Sequence, residues 1–269
     1  MNAIRIRAKN IALMWFIVLI VVSMCTGSVA MLPKAAAQTA QNDTMQSRYQ
    51  GAGIFSQGIA YDGTYRYIFE TTAIRKLNDS YVLIDSNTNA AKNVGVNHLG
   101  DGCYYNGRLY VACCNFSSCS QWDSGRIGIW GTASGLPFIT FIDISDQAFD
   151  PSGIAIDAAT GYAYVSSYCS NVVHKYDINN GWAHVGTIIP APAFKSTQGI
   201  AYDNNHLYVS QPALGVVRTD MNGTNPQTIL PINSISGLEL EGLYVDAHII
   251  MVVNKPYIYT YLNQWDNLP

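Results

Sequence analysis

The chain is poor in charge. Only 12% of its 269 residues are Asp, Glu, Lys or Arg, against 49% hydrophobic and 12% aromatic. That is about half the usual quarter share of charge, and it excludes a disordered chain or a coiled coil. No basic block exists, and the formal net charge is -3, so nucleic acid is not an expected partner. No window carries a helical apolar stripe over three turns beyond the extreme N-terminus. The chain also lacks a Gly-x-Ser-x-Gly elbow, a phosphate-binding glycine loop, a His-Glu-x-x-His pair and a dinucleotide fingerprint. Cofactor-dependent redox chemistry is therefore not expected.

The first forty residues read as an address. Arg5, Arg7 and Lys9 precede an apolar run from Ile11 to Val22, and small residues follow, which is the order of a secretory signal. Cleavage is expected near Ala37, leaving residues 38–269 as the working domain of a secreted, periplasmic or cell-surface protein, with no membrane insertion. If the segment is retained, it acts as an N-terminal anchor, because Ile11 to Leu32 is long enough to span a bilayer. Removing residues 1–37 takes away Arg5, Arg7, Lys9 and Lys34 and no acid, which moves the net charge from -3 to -7. Such a surface favours cationic or neutral ligands. Export would also make Cys103, Cys113, Cys114, Cys119 and Cys169 disulfide candidates rather than metal ligands. Cys119 can pair with Cys113 or Cys114, and Cys103 and Cys169 are the other available partners.

What is abundant is repetition. Gly58-Ile-Ala-Tyr-Asp62 returns as Gly153-Ile-Ala-Ile-Asp157 and Gly199-Ile-Ala-Tyr-Asp203, and more loosely as Gly102-Cys-Tyr-Tyr-Asn106 and Gly242-Leu-Tyr-Val-Asp246. The glycines step by 44, 51, 46 and 43 residues. Between them lie short runs rich in Tyr, Val and Ile, separated by Gly, Asn and Asp, four to a repeat. This is the blade pattern of a propeller. The expected fold is all-β: one five-bladed β-propeller of four-stranded blades. The fifth repeat is short by one strand, which the N-terminal segment can supply. Gly51–Ser56 is the candidate closing strand, and Tyr257, Tyr259, Tyr261 and Trp265 are expected to pack between blades five and one. The Asp that ends each phrase is expected to cap a turn.

Positions that break the repeat carry more. The residue before each repeat glycine should line the channel mouth, and there the chain places Gln57, Asp101, Ser152, Gln198 and Glu241. All five are polar in a chain that spends few polar residues, so they are the expected ligand-binding set. Asp101 and Glu241 with neutral oxygen donors suit a hard cation such as Ca²⁺, the one cofactor these residues point to. The same two acids could instead form an acid/base pair. His98, Glu70 and Lys255 sit on loops directed to the same face, as candidate base, acid and anion-binding group. The long loop 114–125 carries Trp122, a stacking surface for a sugar or peptide. The expected partners are a small molecule, a glycan or a peptide.

The Gly-Ile-Ala-x-Asp phrases and the Leu-Tyr-Val-Ser run resemble propeller repeats of the NHL type and of the gluconolactonase/paraoxonase-like superfamily. That resemblance implies a lactone or ester hydrolase with a divalent metal at the residues before the glycines, here Gln57, Asp101, Ser152 and Glu241. Phe55-Ser56-Gln57-Gly58-Ile59 with Phe69-Glu70-Thr71-Thr72 resembles the opening blade of secreted glutamine cyclotransferases. Gly100-Asp101-Gly102 stands at their Gly-Glu-Gly, and Glu239-Leu240-Glu241 is similar to their late acidic motif. This second resemblance implies metal-free acyl transfer, with Glu70 as proton shuttle and Asp101 as a supporting acid. Neither set is complete, so binding without turnover is the leading expectation.

Overall fold

In a computed structural model of the chain, residues 45–50, 56–119, 123–148, 150–190, 196–235, 237 and 239–264 are described. The four-strand rhythm becomes five antiparallel sheets. Blade one is β2 (Ser56–Tyr61), β3 (Arg66–Glu70), β4 (Ile74–Leu77) and β5 (Leu83–Asn87). Blade two is β6 (His98–Tyr105), β7 (Arg108–Asn115), β8 (Asp123–Gly131) and β9 (Phe138–Asp143). Blade three is β10 (Pro151–Asp157), β11 (Tyr162–Ser167), β12 (Val173–Asp177) and β13 (Ala183–Ile188). Blade four is β14 (Ile200–Asp203), β15 (His206–Gln211), β16 (Gly215–Asp220) and β17 (Gln227–Pro231).

Blade five is assembled from both ends of the domain. β18 (Leu240–Val245), β19 (Ile249–Asn254) and β20 (Tyr257–Leu262) come from the C-terminal part, and β1 (Met45–Gln50) adds the outer strand by pairing with β20. The N-terminal strand thus closes the ring and covers the exposed edge of β20. Its position differs from the expected Gly51–Ser56. Ser56 already belongs to the inner strand β2, and residues 51–55 lie outside the described set. The signal or anchor segment 1–37 and Trp265 also lie outside it.

Each blade junction has its own apolar cluster, which is why the blades stack. Tyr67, Phe69, Trp130 and Leu136 join blades one and two, covered by the short helix α1 (Ala90–Val94). Tyr110, Ile127, Ile154 and Tyr176 join two and three, and Tyr164, Ile200, Val209 and Val217 join three and four. Tyr259 and Tyr261 pack with Tyr208 and Leu230 between blades four and five, with Tyr257 alongside. The expectation that these tyrosines face blade one is corrected. In β20 they alternate with Ile258, and it is Ile258 that turns to blade one with Ile59 and Ile68.

Three of the repeated aspartates cap turns as expected: Asp62 accepts from Thr64 and Tyr65 N–H at 2.8 and 2.6 Å, and Asp246 from His248 and Ile249 N–H at 2.7 and 2.8 Å. Asp157 accepts the Ala159 N–H at 2.9 Å.

Candidate functional site

Four of the inner strands break register just where the repeat glycine begins. The ladder shifts between Ser56 and Gly58, between Leu99 and Gly102, between Pro151 and Gly153, and between Leu240 and Leu243. Gln57, Asp101, Ser152 and Glu241 therefore occupy β-bulges. A bulged residue gives up its place in the ladder and re-aims its side chain. This is the local reason that the residue before the glycine faces inward rather than pairing across the sheet.

The bulged residues then divide between the axis and the mouth. Asp101 is fully buried on the axis. Its Oδ1 accepts the Ile59 N–H at 2.9 Å and its Oδ2 the Leu243 N–H at 3.0 Å, and the N–H groups of Gly102 and Ile200 also bond to it. These donors belong to the inner strands of blades one, five, two and four. The repeat glycines make the room: a Cβ on Gly199 would lie 2.6 Å from Oδ2, one on Gly242 2.8 Å from Oδ1, and one on Gly58 would collide with Oδ1. Burial pushes the Asp101 carboxyl up to about 8 against the pull of the four backbone donors. Ser152 is likewise spent inside, donating to the Thr197 carbonyl at 2.7 Å and lying 2.9 Å from the Ser166 hydroxyl.

Gln57, Gln198 and Glu241 instead reach a pocket of about 230 Å³ at the mouth, with His98, Phe116, Tyr168, Glu239 and Lys255. Every blade contributes to it. Its charged part is a chain of three groups. Lys255 Nζ bonds Glu239 Oε2 at 3.0 Å and also pairs with Glu241 Oε1. Gln198 Nε2 extends the chain, donating to Glu239 Oε1 at 3.4 Å. Glu241 is 2% exposed. Burial pushes its carboxyl up to about 8, the Lys255 ammonium pulls the other way, and Glu239 adds to the rise. Burial works against the Lys255 ammonium, but the two carboxylates outweigh it and hold it above the ordinary lysine value.

Across the pocket, His98 Nε2 lies 3.2 Å from Gln57 Oε1 and His98 Nδ1 3.9 Å from Cys114 Sγ. Burial, followed by the nearby Lys255 charge, pushes this imidazole down to about 4. It is neutral at pH 7, and the amide oxygen of Gln57 calls for the proton on Nε2. Its ring packs against Phe116, centroids 5.7 Å apart. Phe116 and Tyr168 are the apolar walls. The residue-by-residue reading missed both, although each lies in a loop between second and third strands, the place that also singled out Glu70 and Lys255.

Glu70 is not among the pocket-lining residues; its Oε1 accepts the Arg75 Nε–H at 2.7 Å, the alternative that a rim carboxylate allows. Trp122 lies outside the described residues. Of the expected cation pair, Asp101 and Glu241 are not brought to one cavity. Both Asp101 oxygens hold backbone N–H groups and Glu241 holds an ammonium, so this donor set does not fit Ca²⁺, which takes roughly six to eight oxygens. Among the described residues no group of three His, Cys, Asp or Glu is gathered as a metal would need.

The expected thiol pairing is partly redrawn. Cys119 bonds Cys169, with Cα atoms 5.6 Å apart, while Cys103, Cys113 and Cys114 are reduced. Cys113 and Cys114 are adjacent in β7 and fully buried, held in the ladder with their side chains on opposite faces.

The chain matches no protein-family model and no curated protein sequence. Solved structures match its fold. A glutaminyl cyclase from Myxococcus xanthus is 14% identical, with a TM-score of 0.61 over 81% of this chain and 94% of that one. A gluconolactonase from Xanthomonas campestris is 11% identical, with a TM-score of 0.54 over 79% of this chain and 87% of that one. A chain of a nidogen/laminin complex is 13% identical, with a TM-score of 0.51 over 70% of this chain and 66% of that one. At these identities the likeness is one of fold: the β-propeller.

Proposed function

We propose that the chain is an exported propeller that binds a small ligand carrying a free amino group at the mouth of its channel. The observation that carries this reading is Glu241, a buried carboxylate facing the pocket beside Glu239 with one lysine between them. With His98 neutral, Glu239 and Glu241 against Lys255 give the pocket a single negative charge once Glu241 is ionised, and a ligand ammonium favours that ionised form. Gln57 and Gln198 add amide donors and acceptors, and Phe116 and Tyr168 offer faces for an apolar stem or a cation. At about 230 Å³ the pocket is smaller than the roughly 300–1,000 Å³ of drug-sized sites, which favours one amino-acid residue or a peptide end. A glycan reading would rest on Trp122, which lies outside the described residues. Calorimetry with an amino-acid amide such as glutamine amide tests this. Binding is expected, with at least a tenfold loss in Glu241→Gln and none detectable for the N-acetylated amide. Equal binding of the acetylated form would overturn the reading.

A second reading is favoured by the raised proton affinity of Glu241. An amine ligand with a side-chain amide could cyclise: the amine nitrogen attacks the amide carbon, a lactam bond forms, and ammonia leaves with the proton that the amine gives up. Glu241 is a group of suitable affinity to carry that proton at neutral pH. The neighbouring fold of a glutaminyl cyclase agrees with this reading, but Glu70, its expected shuttle, is bonded to Arg75. Ammonia release from a glutaminyl peptide, insensitive to chelator and lost in Glu241→Gln, separates turnover from binding. The metal-dependent lactonase reading is not carried forward, because its donor set is already committed.

A further inference from the structure

The two aromatic walls of the pocket are secured by one covalent tie. Phe116 opens the loop from β7 to β8, and Tyr168 opens the loop from β11 to β12, in the neighbouring blade. Cys119 lies three residues after Phe116, Cys169 is adjacent to Tyr168, and these two cysteines form a disulfide that joins segments 50 residues apart. Each wall also has a non-covalent anchor. The Asn97 side chain accepts the Phe116 N–H at 2.8 Å and donates to the Phe116 carbonyl at 3.3 Å. Asp150, fully buried, accepts the N–H groups of Cys169 at 2.5 Å and Ser170 at 3.0 Å.

None of the five apolar clusters that hold the blades together includes Phe116, Cys119, Tyr168 or Cys169. The tie therefore spans the mouth and not the body of the propeller.

We propose that the Cys119–Cys169 bridge, with Asn97 and Asp150, positions Phe116 and Tyr168 opposite the Glu239–Lys255–Glu241 side of the pocket. Oxidised, it fixes the width between the two walls. Opened by a dithiol, which gives up two electrons and two protons and leaves two thiols on the chain, it leaves each loop to its non-covalent contacts alone while the blades stay folded. Binding competence then belongs to the oxidised chain alone. The affinity part of this inference rests on the proposed amine site; the positioning part does not.

The test uses the folded full domain in three forms: oxidised, reduced with dithiothreitol and alkylated, and Cys119→Ser/Cys169→Ser. Backbone hydrogen exchange and glutamine amide affinity are read on each. Exchange in 116–119 and 168–171 is expected to rise at least tenfold on opening, with β2, β3, β10 and β11 unchanged, and Kd to rise at least tenfold. Phe116→Ala or Tyr168→Ala in the oxidised protein should raise Kd by a similar factor without loosening the loops. Unchanged loop exchange overturns the inference. So does exchange that spreads through all blades, which would make the bridge a global staple, and so does loosening with less than a twofold change in Kd. If the oxidised wild type fails to bind the amide, the amine reading falls, and the exchange result still decides the positioning claim.

Discussion

Replacing Asp101 should destabilise the whole ring. Its carboxylate is the acceptor for N–H groups from the inner strands of four blades. Asp101→Ala leaves those groups buried without a partner, because the space around them is closed by glycine backbone. An unsatisfied buried donor costs about 1–3 kcal/mol. Relief of the buried carboxyl offsets part of this, so the low end applies, and four donors give about 4 kcal/mol. For a domain of this size each kcal/mol is worth about 2–4 °C, so the midpoint should drop by about 8–16 °C. Asp101→Asn keeps an acceptor for Ile59 but turns an amide N–H₂ toward the Leu243 N–H, and should cost about half as much. Scanning calorimetry on both variants, with Ca²⁺ and with chelator, reads the result. Asp101→Ala melting within about 2 °C of wild type would refute the argument. A wild-type midpoint raised by Ca²⁺ and insensitive to it in Asp101→Asn would refute it differently, by making the carboxylate a ligand.

Two further outcomes follow from the buried charges. Asp101 and Glu241 both have folded values near 8, well above the ordinary range near 4, so between those limits the folded chain binds more protons than the unfolded one. Between about 4 and 6.5 His98, whose folded value near 4 lies below the ordinary histidine value, works the other way, so stability should fall as pH rises from about 6.5 to 8. Urea midpoints across that range measure this, Glu241→Gln should flatten the slope, and a midpoint that climbs with pH would contradict it. At about pH 9, where Glu241 is ionised in the folded chain, Lys255→Met strands its carboxylate in the interior and should cost about 3–5 kcal/mol, most of it recovered in Lys255→Met/Glu241→Gln. Equal losses in the single and double variants would show that the pair is not coupled.

The blade count, the strand order and the inward position before each glycine were legible in the repeat, because one phrase must solve the same packing problem five times. What differs from blade to blade was not. Asp101 and Glu241 hold the same place in their phrases, yet one fills the axis and the other lines the mouth. The difference lies in the space left by Gly58, Gly199 and Gly242, which belong to other blades and other stretches of chain. The closing strand was legible as a count of missing residues but not as a register. Pairing of Met45–Gln50 with β20, with Tyr49 stacked on Tyr81 at 4.2 Å, decides it by contact across the ring. The disulfide partner of Cys119 was open for the same reason: Cys113 and Cys114 are nearer in sequence, but the β7 ladder holds them away.

The two buried acids also explain why chemistry belongs at the mouth. Asp101 is balanced by peptide dipoles, which are part of the backbone and have no other place to go. No ligand can take their place without unmaking the ring. Glu241 is balanced by the Lys255 ammonium, a flexible side chain that Glu239 can hold alone. A ligand cation can therefore take up one of these carboxylates while the lysine keeps the other, and no buried charge is left unpaired during the exchange. The compensation at Glu241 is transferable and that at Asp101 is not. That difference separates a binding group from a structural one at two positions that the repeat treats as equivalent.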